Sequence, residues 1–178
     1  MSFAERHGIT REPLTSTSIP IEHIKQLVEE QNVTFRPGDI LFLRVGFTVA
    51  YDSLDAAAQH ALICRPAPDY LGVEASVPML RWLWESGFAA VASDAPCFEQ
   101  APVRGSWDGE DLEECMKGGG LLHQVLLSGW GLPIGELFDL ESLSEVCNRL
   151  GRWTFFVSSV PLKVRGGVAS PPNAVAIF

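Results

Sequence analysis

A helix-length apolar stripe that runs without a linker into an apolar strand is what most constrains this chain. From Ser76 to Ser86 the spacing predicts a helix with Pro78 in its first turn and Leu80, Leu83 and Trp84 on the buried side. Gly87 supplies the stop, and Phe88 to Ala92 follows at once as an apolar strand. The alternation recurs. A helix is predicted from Pro20, with Ile21, Ile24, Leu27 and Val28 on one face, ending near Gln31 and Asn32. The turn Arg36-Pro37-Gly38-Asp39 then leads into Ile40 to Val45, an apolar run broken only by Arg44, which predicts a strand buried on both faces. Leu140 to Leu150 predicts another helix, with Leu143, Val146, Cys147 and Leu150 together and Gly151 as its stop; Trp153 to Val160 and Ala174 to Phe178 read as strands. Helices interleaved with strands make the chain α/β.

A length of 178 residues suits a single domain, 1–178, with residues 1–19 an irregular approach. Hydrophobic residues at 47% against 20% charged describe a chain able to bury a core. The net charge of −9 would repel a polyanion, so nucleic acid is excluded as an expected partner. Cys64, Cys97, Cys115 and Cys147 are widely spaced without a C-x-x-C pair and read as free thiols in a reducing compartment. Nothing at the start resembles a signal peptide, and no apolar run approaches the roughly 18 residues of a membrane helix. The expectation is a soluble, cytoplasmic protein with no membrane partner.

The stretch richest in chemistry is Leu121 to Glu141. Leu121, Leu122, Val125 and Leu126 share one face of a helix that carries His123 and is predicted to stop at Ser128-Gly129. The Gly/Pro-bounded run Leu132 to Phe138 predicts a short strand that delivers Glu136 to its end. A histidine and a carboxylate on adjacent elements suit a metal ligand pair or an acid and a base. Asp94 ends the strand after Gly87, where open α/β sheets keep functional groups, and is a third candidate. His60 and Cys64 have i, i+4 spacing but no third ligand. Pro96 to Gly120 is rich in Gly, Pro and acidic residues and reads as a long surface loop, with one helical turn over Glu110 to Met116. The chain has no G-x-S-x-G, P-loop or dinucleotide fingerprint.

The order Leu-His, short apolar helix, Gly-Trp-Gly, then Ile-Gly-Glu-Leu-Phe-Asp-Leu-Glu resembles the cyclase family, metal-dependent hydrolases that include the kynurenine formamidases. The likeness extends to Arg36 to Leu41, Trp82 to Asp94 and Pro161 to Pro171, and covers most of residues 34–178. The wording WLWESGFAAVASDAP, WGLPIGELFDLE and GGVASPPNAVAIF is similar to the fungal branch. The resemblance implies a swivelling β/β/α three-layer fold and an oligomer. It also implies a zinc or manganese centre, with His123 and Glu136 beside it. Family members of known activity carry an H-x-G-T-H-x-D-x-P motif that supplies most ligands; His7-Gly8-Ile9-Thr10 is the nearest string here and lacks the second histidine and the aspartate. The chain therefore reads either as the later part of a longer enzyme or as a natural short form.

Three functional readings follow from that resemblance. One is hydrolysis of a small amide, ester or lactone by metal-activated water, with His123, Glu136 and Asp94 as catalytic residues and His123 and Glu136 as an incomplete metal set. Another is a metal-independent cyclase, isomerase or dehydratase of fungal secondary metabolism that uses His123 and Glu136 as acid and base. The third is a non-catalytic binding or assembly subunit. All three take a small molecule, and five Trp residues on a small domain predict a homo-oligomer with aromatic contacts.

Overall fold

The computed structural model describes residues 3–66, 69–102 and 122–178. Its elements are α1 (Phe3–Arg6), β1 (Ser18–Ile19), α2 (Ile21–Glu30), β2 (Ile40–Leu43), α3 (Phe47–Asp52), α4 (Ala56–Ile63), β3 (Gly72–Val73), α5 (Val77–Ser86) and β4 (Ala90–Ser93). After the gap come a π-helical segment (Gln124–Trp130), β5 (Ile134–Gly135), α6 (Leu140–Leu150), β6 (Phe156–Ser159) and β7 (Ala174–Ile177). The proposed helical turn over Glu110 to Met116, and Cys115, lie outside the described residues.

Local signals explain where the helices begin and end. The Ser76 side chain accepts a hydrogen bond from the Met79 N–H at the start of α5, and Gly87 closes it in the left-handed region with φ 65°. Asp139 caps α6 by accepting from Ser142, and Gly151 ends it with φ 59°. The turn after α5 is tied to the turn before β2, since the Gly38 N–H donates to the Gly87 carbonyl at 2.8 Å. This tie fixes where β4 starts, and β4 then pairs in parallel with β2 over Ile40 to Leu43.

The strands form a parallel sheet in the order β2-β4-β5, a parallel pair β1-β3 and an antiparallel ribbon β6-β7. The core unites Ile21 and Ile24 of α2, Leu41 and Leu43 of β2, Met79, Leu80 and Leu83 of α5, and Leu122 and Leu126 beside His123. Amphipathic helices therefore bury their apolar stripes on a mixed α/β sheet system.

Several expectations are corrected. Ile40 is 39% exposed and β2 lies at the edge of its sheet, so the strand is not buried on both faces. Trp84, placed on the buried side by spacing, is 63% exposed and stands against Trp130 with ring centroids 5.0 Å apart. Two helices lie between β2 and β3: α3 ends at Asp52, and Asp55 caps the fresh start of α4 by accepting from the Ala58 N–H. The helix after His123 runs past Gly129 to Gly131, which takes φ 67°. The described part of the predicted surface loop is not at the surface: Phe98, Glu99 and Ala101 are 1%, 0% and 5% exposed. Backbone pairing buries it, with the Val73 N–H on the Phe98 carbonyl, the Gln100 N–H on the Val73 carbonyl, and Tyr70 and Ala101 bonded to each other.

Candidate functional site

Three segments converge on one imidazole. His123 stands at the entry of the π-helical segment, and the fully buried Leu122 just before it and Leu126 within the segment hold its orientation. Single π turns inside helices are frequent at functional sites. Glu136 follows β5, which pairs with the central strand β4 at Val91 to Ile134 and Ala92 to Gly135. Leu137, directly after Glu136, adopts φ 55°, a region costly for a branched side chain, and its N–H donates to the Ala95 carbonyl. Glu99 comes from the buried segment that pairs with β3.

The contacts form a carboxylate, imidazole, carboxylate chain. Glu99 Oε2 lies 2.7 Å from His123 Nδ1, and Glu99 Oε1 accepts from the His123 backbone N–H at 3.1 Å. On the other side, Glu136 Oε1 lies 3.2 Å from His123 Nε2 and accepts from the Phe98 N–H at 3.0 Å. The side chains of His123 and Glu136 are about a quarter exposed, at 26% and 29%, whereas that of Glu99 is fully enclosed. The inner carboxylate is thus fixed and the outer one is open to a ligand.

This arrangement sets the protonation states. The hydrogen bond to Glu136, then that to Glu99, lifts the His123 pKa from 6.5 to about 10, against the opposing effect of burial. Burial, then the charges of Glu99 and Glu136, pushes the Cys97 thiol up to about 12. At neutral pH the site holds an imidazolium between two carboxylates. Because the folded pKa of His123 exceeds its ordinary value, its contribution to stability is complete below pH 6.5 and is lost as pH rises through about 10. The melting temperature is therefore expected to fall over that window, and His123→Asn should flatten this limb of a calorimetric pH series.

His123 and Glu136, both named by the sequence, are brought together. Asp94 is not part of this chain of contacts. It is fully buried at the end of β4, where its carboxylate accepts from the Val45 N–H at 2.6 Å and the Gly46 N–H at 2.8 Å. Burial raises its pKa, partly offset by these backbone bonds. The carboxylate thus pins the turn that follows β2, and Asp94→Ala would leave two backbone donors unmatched. The expected loss is about 2–4 kcal/mol, measurable by urea unfolding. His60 and Cys64 lie side by side at 3.7 Å on exposed surface, with no further donor placed with them among the described residues.

Glu99 was not singled out from the sequence. Its signal is faint: Phe98, an apolar residue beside it in the run after Pro96, marks a stretch that packs inward. Cys97 Sγ, a Glu99 carboxylate oxygen and a His123 ring nitrogen lie within 4.8 Å of one another. Two cavities, about 1240 and 360 Å³, flank β2 instead, and none of Cys97, Glu99, His123 and Glu136 lines either of them.

The family described as "Putative cyclase" matches residues 7–100, just over half of the chain. The chain belongs to the cyclase family. The match takes in Glu99 but stops short of His123 and Glu136. The crystal structure of a novel cyclase superimposes with a TM-score of 0.74 at 26% identity, over 99% of this chain and 51% of its own. The cyclase-family chain thus spans about half the length of that solved cyclase. No curated protein matches it. Among the described residues no helix is long and apolar enough to cross a membrane.

Proposed function

We propose that this cyclase-family chain carries the reactive cluster of a hydrolase acting on a small amide, ester or lactone, chemistry of the kynurenine formamidase kind. The observation that carries this reading is one imidazole gripped by two carboxylates, the inner one fully buried. With the imidazole neutral, such a site has two negative charges in a half-buried place, and it favours a cation. A proton on His123 meets that demand in part; a divalent ion would meet it fully.

The donor chemistry fits such an ion. Glu99 and His123 are the residues that would hold zinc or manganese, and the partly exposed Glu136 faces the ring from its Nε2 side. When bound, the ion would supply an activated water and polarise the carbonyl under attack. Glu136, more open than Glu99 and held by the Phe98 N–H, takes the proton from the attacking water and returns it to the leaving nitrogen or oxygen. Asp94 acts as a positioning residue through the Val45-Gly46 turn. A fungal biosynthetic setting belongs to the same proposal and rests on the wording of Trp82 to Pro96 and Trp130 to Glu141. A metal-free acid–base catalyst is the weaker reading. A histidine held up to about 10 keeps its proton near neutrality and turns over poorly as a base.

Purified chain, assayed on an aryl formamide, an aryl ester and a lactone, tests the reading. Turnover of at least one is expected to drop about 100-fold or more on chelation, to return with zinc or manganese, and to vanish in His123→Ala. No turnover of any of the three with metal restored would remove the hydrolase proposal for this chain.

A homo-oligomer is part of the proposal. Phe156 pairs with Ile177 across the β6-β7 ribbon, so they share a face with Val175, and all three are more than half exposed. A lone two-stranded ribbon is marginal in water and gains from burying such a face. Light scattering is expected to show a multiple of the monomer mass that collapses to monomer in Phe156→Asp; a monomer in the unmodified chain at every concentration would exclude it.

A further inference from the structure

We propose that Cys97 is a metal ligand and that, together with Glu99 and His123, it makes this centre select thiophilic ions such as zinc and cobalt over manganese and magnesium. The three donor atoms lie within 4.8 Å of one another. In a tetrahedral zinc site with bonds of about 2.0–2.3 Å, ligand atoms stand roughly 3.3–3.8 Å apart, so small side-chain rotations close the set. Backbone geometry fixes the segment that carries the set. Phe98 packs in the core at 1% exposure, and the bridge of Glu99 to Val73 holds Glu99, and with it the bend at Cys97, beside His123.

The ordinary role of a half-buried cysteine is to fill apolar space. Cys97 does not do that: its sulfur stands within 4.8 Å of a Glu99 carboxylate oxygen and a His123 ring nitrogen. A thiol whose neighbours are a buried carboxylate and an imidazole has the surroundings of a ligand. One sulfur, one nitrogen and one oxygen from the protein make three ligands, which leaves a fourth tetrahedral position for water. Sulfur also discriminates, since thiolate favours zinc and cobalt while hard manganese and magnesium prefer all-oxygen sets.

The proposal rests on the reading of this cluster as a metal centre and is independent of any hydrolysis. The test strips the full chain with chelator and reloads it with cobalt, read by absorbance and by metal content per chain. A thiolate-to-cobalt charge-transfer band in the near ultraviolet is expected at one cobalt per chain. It should disappear in Cys97→Ser with circular dichroism unchanged, and persist in the double variant Cys64→Ser, Cys115→Ser. Zinc should displace the cobalt, and manganese in tenfold excess should not. Cobalt bound without the band, a band that survives Cys97→Ser, or no cobalt bound would each overturn the proposal. A band that behaves as expected without hydrolysis of any substrate would sink the hydrolase reading and leave this one standing.

Discussion

Glu99→Gln is expected to lower kcat/KM on the preferred substrate by about 100-fold and to weaken zinc binding by at least 10-fold, with the fold intact. The amide keeps the shape of the side chain and can still accept from the His123 backbone N–H, so the buried segment retains its place. What disappears is the buried negative charge 2.7 Å from Nδ1, which Glu136 alone, at 3.2 Å and partly solvated, cannot replace. Glu136→Gln should cost turnover too but spare more of the zinc affinity, because its carboxylate is assigned to the proton rather than to the ion. Parallel kinetics and zinc titrations of the two variants separate these roles. Equal losses in both quantities for both variants would contradict the division.

Gly72→Ala is expected to be the most disruptive added methyl group among the described glycines, costing about 3 kcal/mol or more. A Cβ at this position would stand 2.2 Å from the Glu99 carbonyl carbon, 2.4 Å from its oxygen and 2.5 Å from the Gln100 nitrogen. All three are backbone atoms, so no rotamer change relieves the overlap. The segment must move off β3, which breaks the Val73 pairing and draws the Glu99 carboxylate away from His123. Stability and turnover should therefore fall together. Gly131→Ala is the contrast: it has φ 67° but nothing within 4 Å, and should cost about 1 kcal/mol with little effect on the site. Urea midpoints for the two variants measure the difference.

What could be read from the sequence follows from how local each determinant is. The limits of α5 and α6 were legible because Ser76, Gly87, Asp139 and Gly151 act on backbone groups within a few residues. His123 and Glu136 were legible because each sits at the end of a recognisable helix or strand, and because their surroundings carry the cyclase resemblance. Trp84 was misplaced because spacing says which face a residue shares, and not how far the covering elements extend. Its contact is with Trp130, far along the chain. The π-helical segment was read as an ordinary helix because i, i+4 spacing does not reveal an extra residue per turn. Glu99 was missed for the opposite reason from Gly87. Its position depends on pairing with Val73 and its role on a histidine 24 residues later, and the Gly, Pro and acidic residues around it look like a loop.

Two carboxylates meet at one imidazole, and the most direct measurement of that convergence is the titration of His123 itself by nitrogen-15 NMR, in metal-free and zinc-loaded protein. In metal-free protein the ring is predicted to stay protonated through neutrality and titrate at about 10. Addition of one equivalent of zinc should abolish that titration by displacing the ring proton. A ring that titrates near its ordinary 6.5, and does so unchanged in the presence of zinc, would contradict the convergence of Glu99 and Glu136 on His123 and with it the assignment of this site.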